Sequence, residues 1–551
     1  MPSRNDYHRG FWAEGVPFIW ISGMAVLALL VIVTGFLGLI FTKGVTHFWP
    51  ASMARVTLKG GSSVMGPVME TETISHAAGT DAATRSLLKI GNRDVYGLDF
   101  RWVDDAAVEK REYPEDAAVI ERSEYGDLHG FIQALREGDK TTARAGPDFY
   151  ILLEKKIARA AELKGEIKKA AGDVELARQP LVKLEAAIRV LEDGPEAGAP
   201  EANLKLEKLN KEYDALILKL GDAVAVPEQR LSALRTEQDA SAVEVALAGG
   251  QVKKMPLKDV RAFYLPNRMG PFAKAGHYAG KVWDFLWTWP RESNTEGGVF
   301  PAIFGTVMMV FIMVLVGAPF GVMAALYMHE YAKPGLFLSL VRLGVNNLAG
   351  VPSIVFGIFG LGFFIYFVGG GIDRIFFSGK LPEPTYGTGG ILWASLTLAL
   401  LTVPVVVVAT LEGLAAVPRA NREGALALGS TKWQMLWHVV LPNSMPGILT
   451  GVILAISRAT GEVAPLMITG VVKLVAELPV DAGWPFLHLD RKFMHLGFHI
   501  YDVGFQSPNV EAAKPMVYTT TGLLLIIVVA LNLAAIVLRN RLRKTYKGAA
   551  L

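Results

Sequence analysis

An arginine and a glutamate stand four residues apart in an apolar stretch toward the carboxyl end of the chain. Arg458 and Glu462 lie in the sequence ISRATGEVAPL, inside the mostly apolar run 448–472. If a helix begins near Ile448, a rise of about 1.5 Å per residue places Arg458 about 15 Å into it, near the middle of a bilayer. A charge at that depth costs about 2.5–3.5 kcal/mol, so it should face protein or water.

The spacing of this pair allows a structural and a functional interpretation. At i and i+4 on one helix, Arg458 and Glu462 can partly neutralise each other and simply fix helix packing. Alternatively, Arg458 belongs to an anion path or its gate, and Glu462 holds the guanidinium. A guanidinium suits a phosphate because its planar fork stays charged and donates two parallel hydrogen bonds.

The composition indicates an integral membrane protein. Of 551 residues, 51% are hydrophobic, and the mean hydropathy is +0.33. About 20 apolar residues span the hydrocarbon core as a helix. Six crossings are predicted, at residues 18–41, 300–327, 345–368, 391–411, 448–472 and 516–538. The first is interpreted as a retained anchor, because its apolar run is too long for a cleaved signal peptide.

Basic residues at the carboxyl terminus predict the orientation. The tail 539–551 carries arginines and lysines without an acid, so the positive-inside rule places it in the cytoplasm. With six crossings, the amino terminus is also cytoplasmic. Residues 1–41 comprise this terminus and the first crossing. Residues 42–299 then form an insert on the outer side of the membrane, and 300–538 form the membrane core.

The insert is predicted to contain two kinds of structure. Residues 51–147 are interpreted as a mixed β/α unit, because apolar and other residues alternate from Tyr96 to Trp102 as in a half-buried strand. Residues 150–247 are predicted to form an antiparallel helical hairpin, either a solvated coiled coil or a docking arm for another protein. The chain has no cysteine, so the insert relies on its core and thiolate chemistry is excluded.

The connection between the fourth and fifth crossings is predicted to form two short helices. The sequence EGALALGSTKWQMLWHVVLP, residues 423–442, suggests helices that meet at Gly429 and stop before Pro442. It contains the residue types of a phosphate-binding P-loop, but Lys432 follows Ser430 and Thr431 instead of preceding them. We therefore expect this chain to bind no nucleotide cofactor.

The same stretch resembles the EAA loop of ABC-importer permeases. Its glutamate, glycine, aliphatic residue and Leu-Pro pair stand at the family's spacing, at Glu423, Gly429, Val439, Leu441 and Pro442. In that family the loop, here residues 412–446, sits in a groove of a cytoplasmic ATPase. The resemblance implies that these five residues couple the chain to ATP hydrolysis, with ATP and magnesium bound by the partner.

Further stretches resemble the phosphate permeases of the PstA type. They begin at Gly297, Gly350, Ala425 and Arg458, and they include Gly-Glu-x-Ala-Pro at 461–465. Where PstA-type sequences often carry an arginine, this chain has Val408. The resemblance implies a mainly α, six-helix type I (MetI-like) importer permease with an inserted domain. It also implies a location in the bacterial inner membrane with the insert in the periplasm, and three kinds of protein partner: a PstC-like second permease, two PstB-like ATPases and a PstS-like periplasmic phosphate-binding protein.

Other functions are considered beside this one. The chain is expected to be no enzyme and to bind phosphate and membrane lipid but no nucleic acid. Open alternatives are a PstC-type subunit, a permease for another oxyanion, and a membrane-anchored sensor or scaffold. His495 and His499, with His488 or Asp490, are weighed as metal ligands, but a polar external loop or interfacial helix is preferred and no metal site is predicted.

Overall fold

The computed structural model describes residues 15–74, 83–138, 140–146, 148–193, 200–291, 294–507 and 510–547. The predicted cytoplasmic residues before 15 therefore lie outside the described part of the chain. The described chain divides into two compact units. One unit, here called the insert, comprises Trp49–Gly280, and the membrane unit comprises Met1–Phe48 together with Lys281–Leu551.

The described residues of the insert form two antiparallel sheets and a long helical hairpin. The first sheet has the order β4-β3-β2-β1-β5, and the second has the order β10-β9-β7-β6-β11, with β8 also paired to β7. The strands are β1 Met53–Leu58, β2 Ser63–Ile74, β3 Ala83–Lys89, β4 Phe100–Asp104, β5 Val108–Glu112, β6 Ala118–Arg122, β7 Leu128–Glu137, β8 Lys140–Arg144, β9 Ser241–Ala246, β10 Val252–Pro256 and β11 Val260–Tyr264. The prediction of a β-containing insert is confirmed.

The predicted strand at 96–102 is wrong in its bounds and in its buried face. Tyr96 ends a helical turn, α1 in the insert, Arg93–Tyr96, and the strand begins only at Phe100. Val103 is buried, whereas Trp102 is 40% exposed. The guanidinium of Arg85 covers the Trp102 ring at 4.3 Å from its centroid. Trp102 therefore lies on the outer face of the strand, where the Arg85 cation covers its ring. In the sequence, such an exposed aromatic residue gives the same alternation as a buried one.

The hairpin grows out of the second sheet and the chain returns to that sheet. Its helices, α2 Phe149–Asp193 and α3 Pro200–Asp239, pack along a seam of half-buried residues. The seam residues repeat at a spacing of three or four positions along each helix, and all of the following are half-buried: Leu181, Leu184, Ile188, Leu191, Leu206, Leu209, Tyr213, Leu216 and Leu220. The predicted helical region 150–247 ends too late, because β9 begins at Ser241 and pairs with β7.

The base of the hairpin belongs to the core of the insert, so the two ends of α2 should respond differently to truncation. Leu153 is 2% exposed and packs with residues of the second sheet, whereas Leu176 is 68% exposed. We expect Leu153→Ala to lower the free energy of unfolding of the insert by about 2–5 kcal/mol. Leu176→Ala should change it by no more than about 0.5 kcal/mol. Hydrogen exchange of the sheet amides in the full-length protein measures both; equal protection in the two variants would contradict this assignment.

In the described part of the chain, the membrane unit contains six helices long and apolar enough to cross a bilayer, as predicted. They are called the first to sixth spans: Pro17–Thr46, Phe300–Tyr331, Ser353–Phe376, Ile391–Ala415, Lys432–Gly461 and Ala513–Arg541. The last helix itself runs on to Lys547. The chain is therefore a multi-pass, mainly helical membrane protein.

The spans are built from α-helices and from three π-helical segments. In the membrane unit the α-helices are Val16–Thr46, Phe300–Leu326, Leu336–Leu348, Ser353–Phe359, Gly370–Phe376, Ile391–Ala415, Arg419–Ala427, Lys432–Met435, Leu441–Gly461, Ala464–Thr469, Leu496–Phe505 and Val510–Lys547. A further helix, Pro271–Trp287, precedes the short strand pair Pro290–Arg291 and Glu296–Gly297. The π-helical segments are Tyr327–Tyr331, Gly360–Gly369 and Leu436–Val440.

The fourth span occupies the centre of the membrane unit. It packs against the second span on one side and the fifth on the other, while the sixth packs on the fifth and the first on the sixth. Met309, Leu398 and Ala459 belong to the core that joins the second, fourth and fifth spans. This packing leaves one face of the third span exposed.

The third span starts later than predicted. A separate helix, Leu336–Leu348, ends before Pro352, and the span begins at Ser353. The expected start at Val345 is wrong because a proline disfavours helical backbone in the residue before it. Asn346 and Asn347 therefore end the preceding helix and do not open the span.

Candidate functional site

The predicted EAA loop contains two helices that meet at a left-handed glycine. The helix Arg419–Ala427 is followed by Gly429 with φ 86°, a backbone conformation that favours glycine. Thr431 then caps the next helix: its hydroxyl accepts from the Gln434 amide, and the Gln434 side chain accepts from the Thr431 amide. This capping box fixes the turn between the helices.

The five predicted coupling residues lie on the two helices of the EAA loop and at the turn between them. Glu423 is exposed on the first helix, and Gly429 is exposed at the turn. Val439, Leu441 and Pro442 are half-buried in the second helix. Glu423 and Gly429 are thus accessible from outside the chain, whereas Val439, Leu441 and Pro442 pack partly into the membrane unit. A role of these residues in coupling stays a prediction.

Pro442 does not end the helix, contrary to expectation. The helix continues through it from Lys432 to Gly461, because the π-helical segment Leu436–Val440 immediately precedes it. A wider turn makes room for the proline ring. The Asn443 side-chain amide donates to the Val439 carbonyl at 2.7 Å, which satisfies an acceptor at the widened turn.

One helix therefore connects the EAA loop with Arg458. The fifth span runs from Lys432 to Gly461, which corresponds to a rod of about 45 Å. The predicted crossing 448–472 is wrong at both ends: the helix starts earlier, and it stops where Glu462 takes an extended conformation with ψ 129°. A short helix, Ala464–Thr469, follows the break.

Contacts with the sixth span indicate the depth of Arg458. Arg539, at the start of the basic tail, lies with Nη1 3.4 Å from Thr450 Oγ1. One turn short of the helix end, Ser457 Oγ donates to Asn532 Oδ1 at 2.9 Å. Arg458 lies about 12 Å beyond Thr450 along the helix, close to the middle of a core about 30 Å thick. The depth expected from the sequence is retained although the expected helix start was wrong.

Arg458 and Glu462 form the predicted pair. Arg458 Nε lies 3.5 Å from Glu462 Oε1, and the side chains are 33% and 23% exposed. Arg458 occupies the last helical turn, where free carbonyl groups favour a cation. Neither side chain is closed off, so the guanidinium is accessible at the point where the transmembrane helix breaks. Irregular backbone at this depth is tolerated where it is buried in protein or lines a water-filled cavity.

The break in the fifth span packs against the start of the third span. A Cβ added to Gly357 would lie 2.8 Å from Pro465 Cα, so the two backbones are in direct contact. Phe356 and Leu466 share the same core cluster. Two interrupted segments thus meet beside the Arg458–Glu462 pair, an arrangement typical of transporter sites near the membrane midplane.

This contact makes Gly357 sensitive to a single methyl group. Gly357→Ala should destabilise the protein by about 1–3 kcal/mol, because the new methyl group overpacks the contact with Pro465. Gly362→Ala in the same span is the matched control, since a Cβ there meets no atom within 4 Å. Thermal unfolding in detergent compares the two variants. Equal melting temperatures would show that the two segments do not pack as described.

Among the described residues, the histidines weighed as metal ligands belong to no group of three or more His, Cys, Asp or Glu side chains that could hold a metal ion. His488 Nε2 lies 3.1 Å from Asp481 Oδ1, His495 Nδ1 accepts from the Gly497 amide at 3.1 Å, and His499 is buried. Burial lowers the pKa of His495 to about 3 and that of His499 to about 4, so both rings are neutral near pH 7. Of the preferred polar external loop or interfacial helix, the loop is wrong for these two: His495 caps the helix Leu496–Phe505, His499 lies in it, and both are buried.

Two polar residues of this region were missed from the sequence. Asn532 stands alone in an apolar run of the sixth span, and that isolation was the available signal. Glu330, at the end of the second span, contacts the EAA loop, a long-range contact that no local pattern indicates. Val408 lies on the fourth span with its side chain 37% exposed.

Comparison with known proteins agrees with this architecture. A family model described as "Binding-protein-dependent transport system inner membrane component" matches residues 317–545, which include the EAA loop and Arg458. The probable ABC transporter permease YqgI of Bacillus subtilis is 31% identical over 256 residues, 46% of this chain and 81% of the relative.

Two further relatives match over shorter stretches. The probable permease YqgH of Bacillus subtilis is 31% identical over 196 residues, 35% of this chain and 59% of the relative. The phosphate transport system permease protein PstA of Yersinia pestis is 35% identical over 181 residues, 33% of this chain and 55% of the relative. The chain therefore spans little more than half of the length of these two. All three relatives are transporter permeases, not enzymes.

The resemblance predicted from the sequence is thus confirmed. The chain belongs to the family of binding-protein-dependent transport system inner membrane components, as an ABC transporter permease, and it is similar to permeases of the PstA type.

Proposed function

We propose that this chain is a permease subunit of an ATP-driven importer of inorganic phosphate. The observation that carries the proposal is the single helix Lys432–Gly461, which begins in the EAA loop and ends beside Arg458. The similarity to permeases named for phosphate transport supports the choice of substrate.

The geometry suggests how the EAA loop acts on the anion path. The exposed turn around Glu423 and Gly429 is the surface offered to a cytoplasmic ATPase. A displacement of this turn reaches the far end of the fifth span, because a continuous helix carries it along its axis. There it moves Arg458 and the break at Glu462. ATP binding by the partners would open the path outward, and hydrolysis would reset it.

The pairing of Arg458 with Glu462 suits passage better than tight binding. A phosphate oxygen and the Glu462 carboxylate compete for the same guanidinium, so the anion is attracted without being held strongly. A path that binds its ion too strongly also retains it. The exposed side of the pair is where we expect the second permease subunit to complete the path.

The remaining partners and the orientation belong to the same proposal. The complex would contain a PstC-like permease, two PstB-like ATPases and a PstS-like binding protein. The EAA loop and the basic tail would face the cytoplasm and the insert the periplasm. The cytoplasmic side is assigned to the tail because Arg539 and Arg541 end the sixth span, and basic residues beside a span favour the cytoplasm.

The substrate is tested by competition. Uptake of labelled phosphate is measured in cells that express the chain with its neighbouring transport genes, in the presence of excess phosphate, phosphonate or molybdate. Only unlabelled phosphate should abolish uptake of the label. Stronger competition by phosphonate or molybdate would reassign the permease to that anion.

A further inference from the structure

The end of the second span is attached to both helices of the EAA loop. This end is the π-helical segment Tyr327–Tyr331, and its attachment consists of Glu330, Arg422 and Lys432, here called the Glu330 latch. Arg422 lies on the first helix of the loop, and Lys432 begins the second. The latch therefore joins residues that are far apart in sequence, at the end of the second span that contacts the EAA loop.

Glu330 is held from two sides. Its Oε1 lies 3.3 Å from Arg422 Nε and 3.0 Å from His329 Nδ1, and its side chain is 10% exposed. Its carbonyl oxygen accepts a hydrogen bond from Lys432 Nζ. The same ammonium lies 4.4 Å from the centre of the Tyr331 ring. Side chain and main chain of one residue thus hold the two helices of the EAA loop.

Arg422 extends the latch to the fourth span. Its Nη1 donates to the Val417 carbonyl and its Nη2 donates to the Leu414 carbonyl, both at 2.7 Å. These carbonyls end the fourth span or follow directly after it, where helical acceptors have no partner within the helix. A single guanidinium consequently links the second span, the fourth span and the EAA loop.

Packing alone would already hold these elements together. A core cluster of Met328, Leu414, Met435 and Val440 joins the same segments through apolar contacts. A partly buried ion pair adds little net stability, because the loss of hydration offsets the attraction, but it fixes one relative position of the groups. The latch thus specifies position more than it supplies stability.

We infer that Glu330 is a positioning residue that makes the second span move together with the EAA loop. This inference rests on the proposed function, since it concerns transmission of a displacement that begins at the ATPase contact. The fifth span is moved directly through its own helix. The second span is not continuous with the EAA loop, and the Glu330 latch connects the two non-covalently, through an ion pair and hydrogen bonds.

The test uses the complete complex with its ATPases and binding protein in liposomes. Glu330→Gln keeps the size and hydrogen-bonding capacity of the side chain but removes its charge. We expect ATP hydrolysis to continue while phosphate transported per ATP falls about tenfold, as for a typical coupling free energy between two sites. Lys333→Gln, which changes an exposed charge three positions away, should leave this ratio unchanged.

A distance measurement separates positioning from a merely structural role. Because the chain contains no cysteine, spin labels can be placed at Phe320→Cys on the second span and Leu428→Cys in the EAA loop, both exposed. On ATP binding the label distance should stay constant with Glu330 present and change with Glu330→Gln. The inference would be overturned if, in Glu330→Gln, the label distance still stayed constant on ATP binding and the phosphate transported per ATP equalled that of the native complex. Failure of the Glu330→Gln complex to assemble would also overturn it.

The controls distinguish this inference from the proposed function. A complex with native Glu330 must accumulate phosphate, and Glu423→Cys must crosslink to an ATPase subunit. If either fails, the proposed function fails. If both succeed and Glu330→Gln transports normally, only the role of the latch is wrong.

Discussion

Replacing Arg458 by glutamine is expected to reduce phosphate uptake by at least about tenfold, since hydrogen bonds to a charged group contribute about 1.5–3 kcal/mol. Glutamine keeps a polar side chain at the break of the fifth span but removes the only positive charge of the Arg458–Glu462 pair. Insertion and assembly should be preserved, because the charge is partly exposed and is not part of an apolar core. Uptake of labelled phosphate and co-purification with the ATPases measure the two properties.

Two further variants sharpen this prediction. Arg374→Gln removes an exposed arginine at the end of the third span, away from the break, and should leave uptake unchanged. Arg458→Lys keeps the charge but loses the planar fork, so intermediate uptake would indicate that the paired hydrogen bonds matter in addition to the field. Full uptake by a correctly assembled Arg458→Gln complex would leave the pair with a packing role only.

Replacing Glu423 by alanine is expected to abolish uptake and the stimulation of ATP hydrolysis by the binding protein. Glu423 is exposed on the helix Arg419–Ala427, so its loss should not disturb the fold of the chain. We propose that its carboxylate faces the groove of an ATPase subunit. Asn421→Ala, on the other side of the same helix, is the matched control. ATPase activity with and without the binding protein is the measurement.

A membrane-anchored scaffold would give the opposite pattern. In that case Glu423→Ala would have no effect, whereas removal of the outer part of the hairpin would abolish function. The hairpin can be shortened without opening the insert core, because the buried residues of α2 lie toward its base, between Phe149 and Ala170. Loss of function from the shortened hairpin together with full function of Glu423→Ala would therefore contradict the permease account.

Hydropathy and local motifs were sufficient for much of this architecture. Each crossing needs a long apolar run, and that requirement is visible in a single sequence. The turn at Gly429 was also predictable, since a left-handed position and a capping residue leave a local signal. The pairing of Arg458 with Glu462 followed from helical spacing, which survives a shift of the helix start.

The remaining features depend on contacts between distant residues. Pro442 indicated a helix end, but a π-helical turn accommodates its ring. The second helix of the EAA loop and the fifth crossing, predicted as separate, are therefore one continuous helix. The strand β9 pairs with β7 across the whole hairpin, and no local pattern encodes that return. Glu330 acquires its significance from Arg422 and Lys432, which lie on other helices. Local periodicity does not report such pairs.

The central claim is that this chain forms part of an ATP-driven path for phosphate. The most direct measurement is accumulation of labelled phosphate inside liposomes that contain the chain with its permease partner and ATPases, supplied with binding protein. Phosphate should accumulate only when ATP and binding protein are both present, and it should not accumulate when Glu423→Ala replaces the native chain. Accumulation that is independent of ATP, or ATP-driven accumulation of another anion without phosphate, would contradict the account.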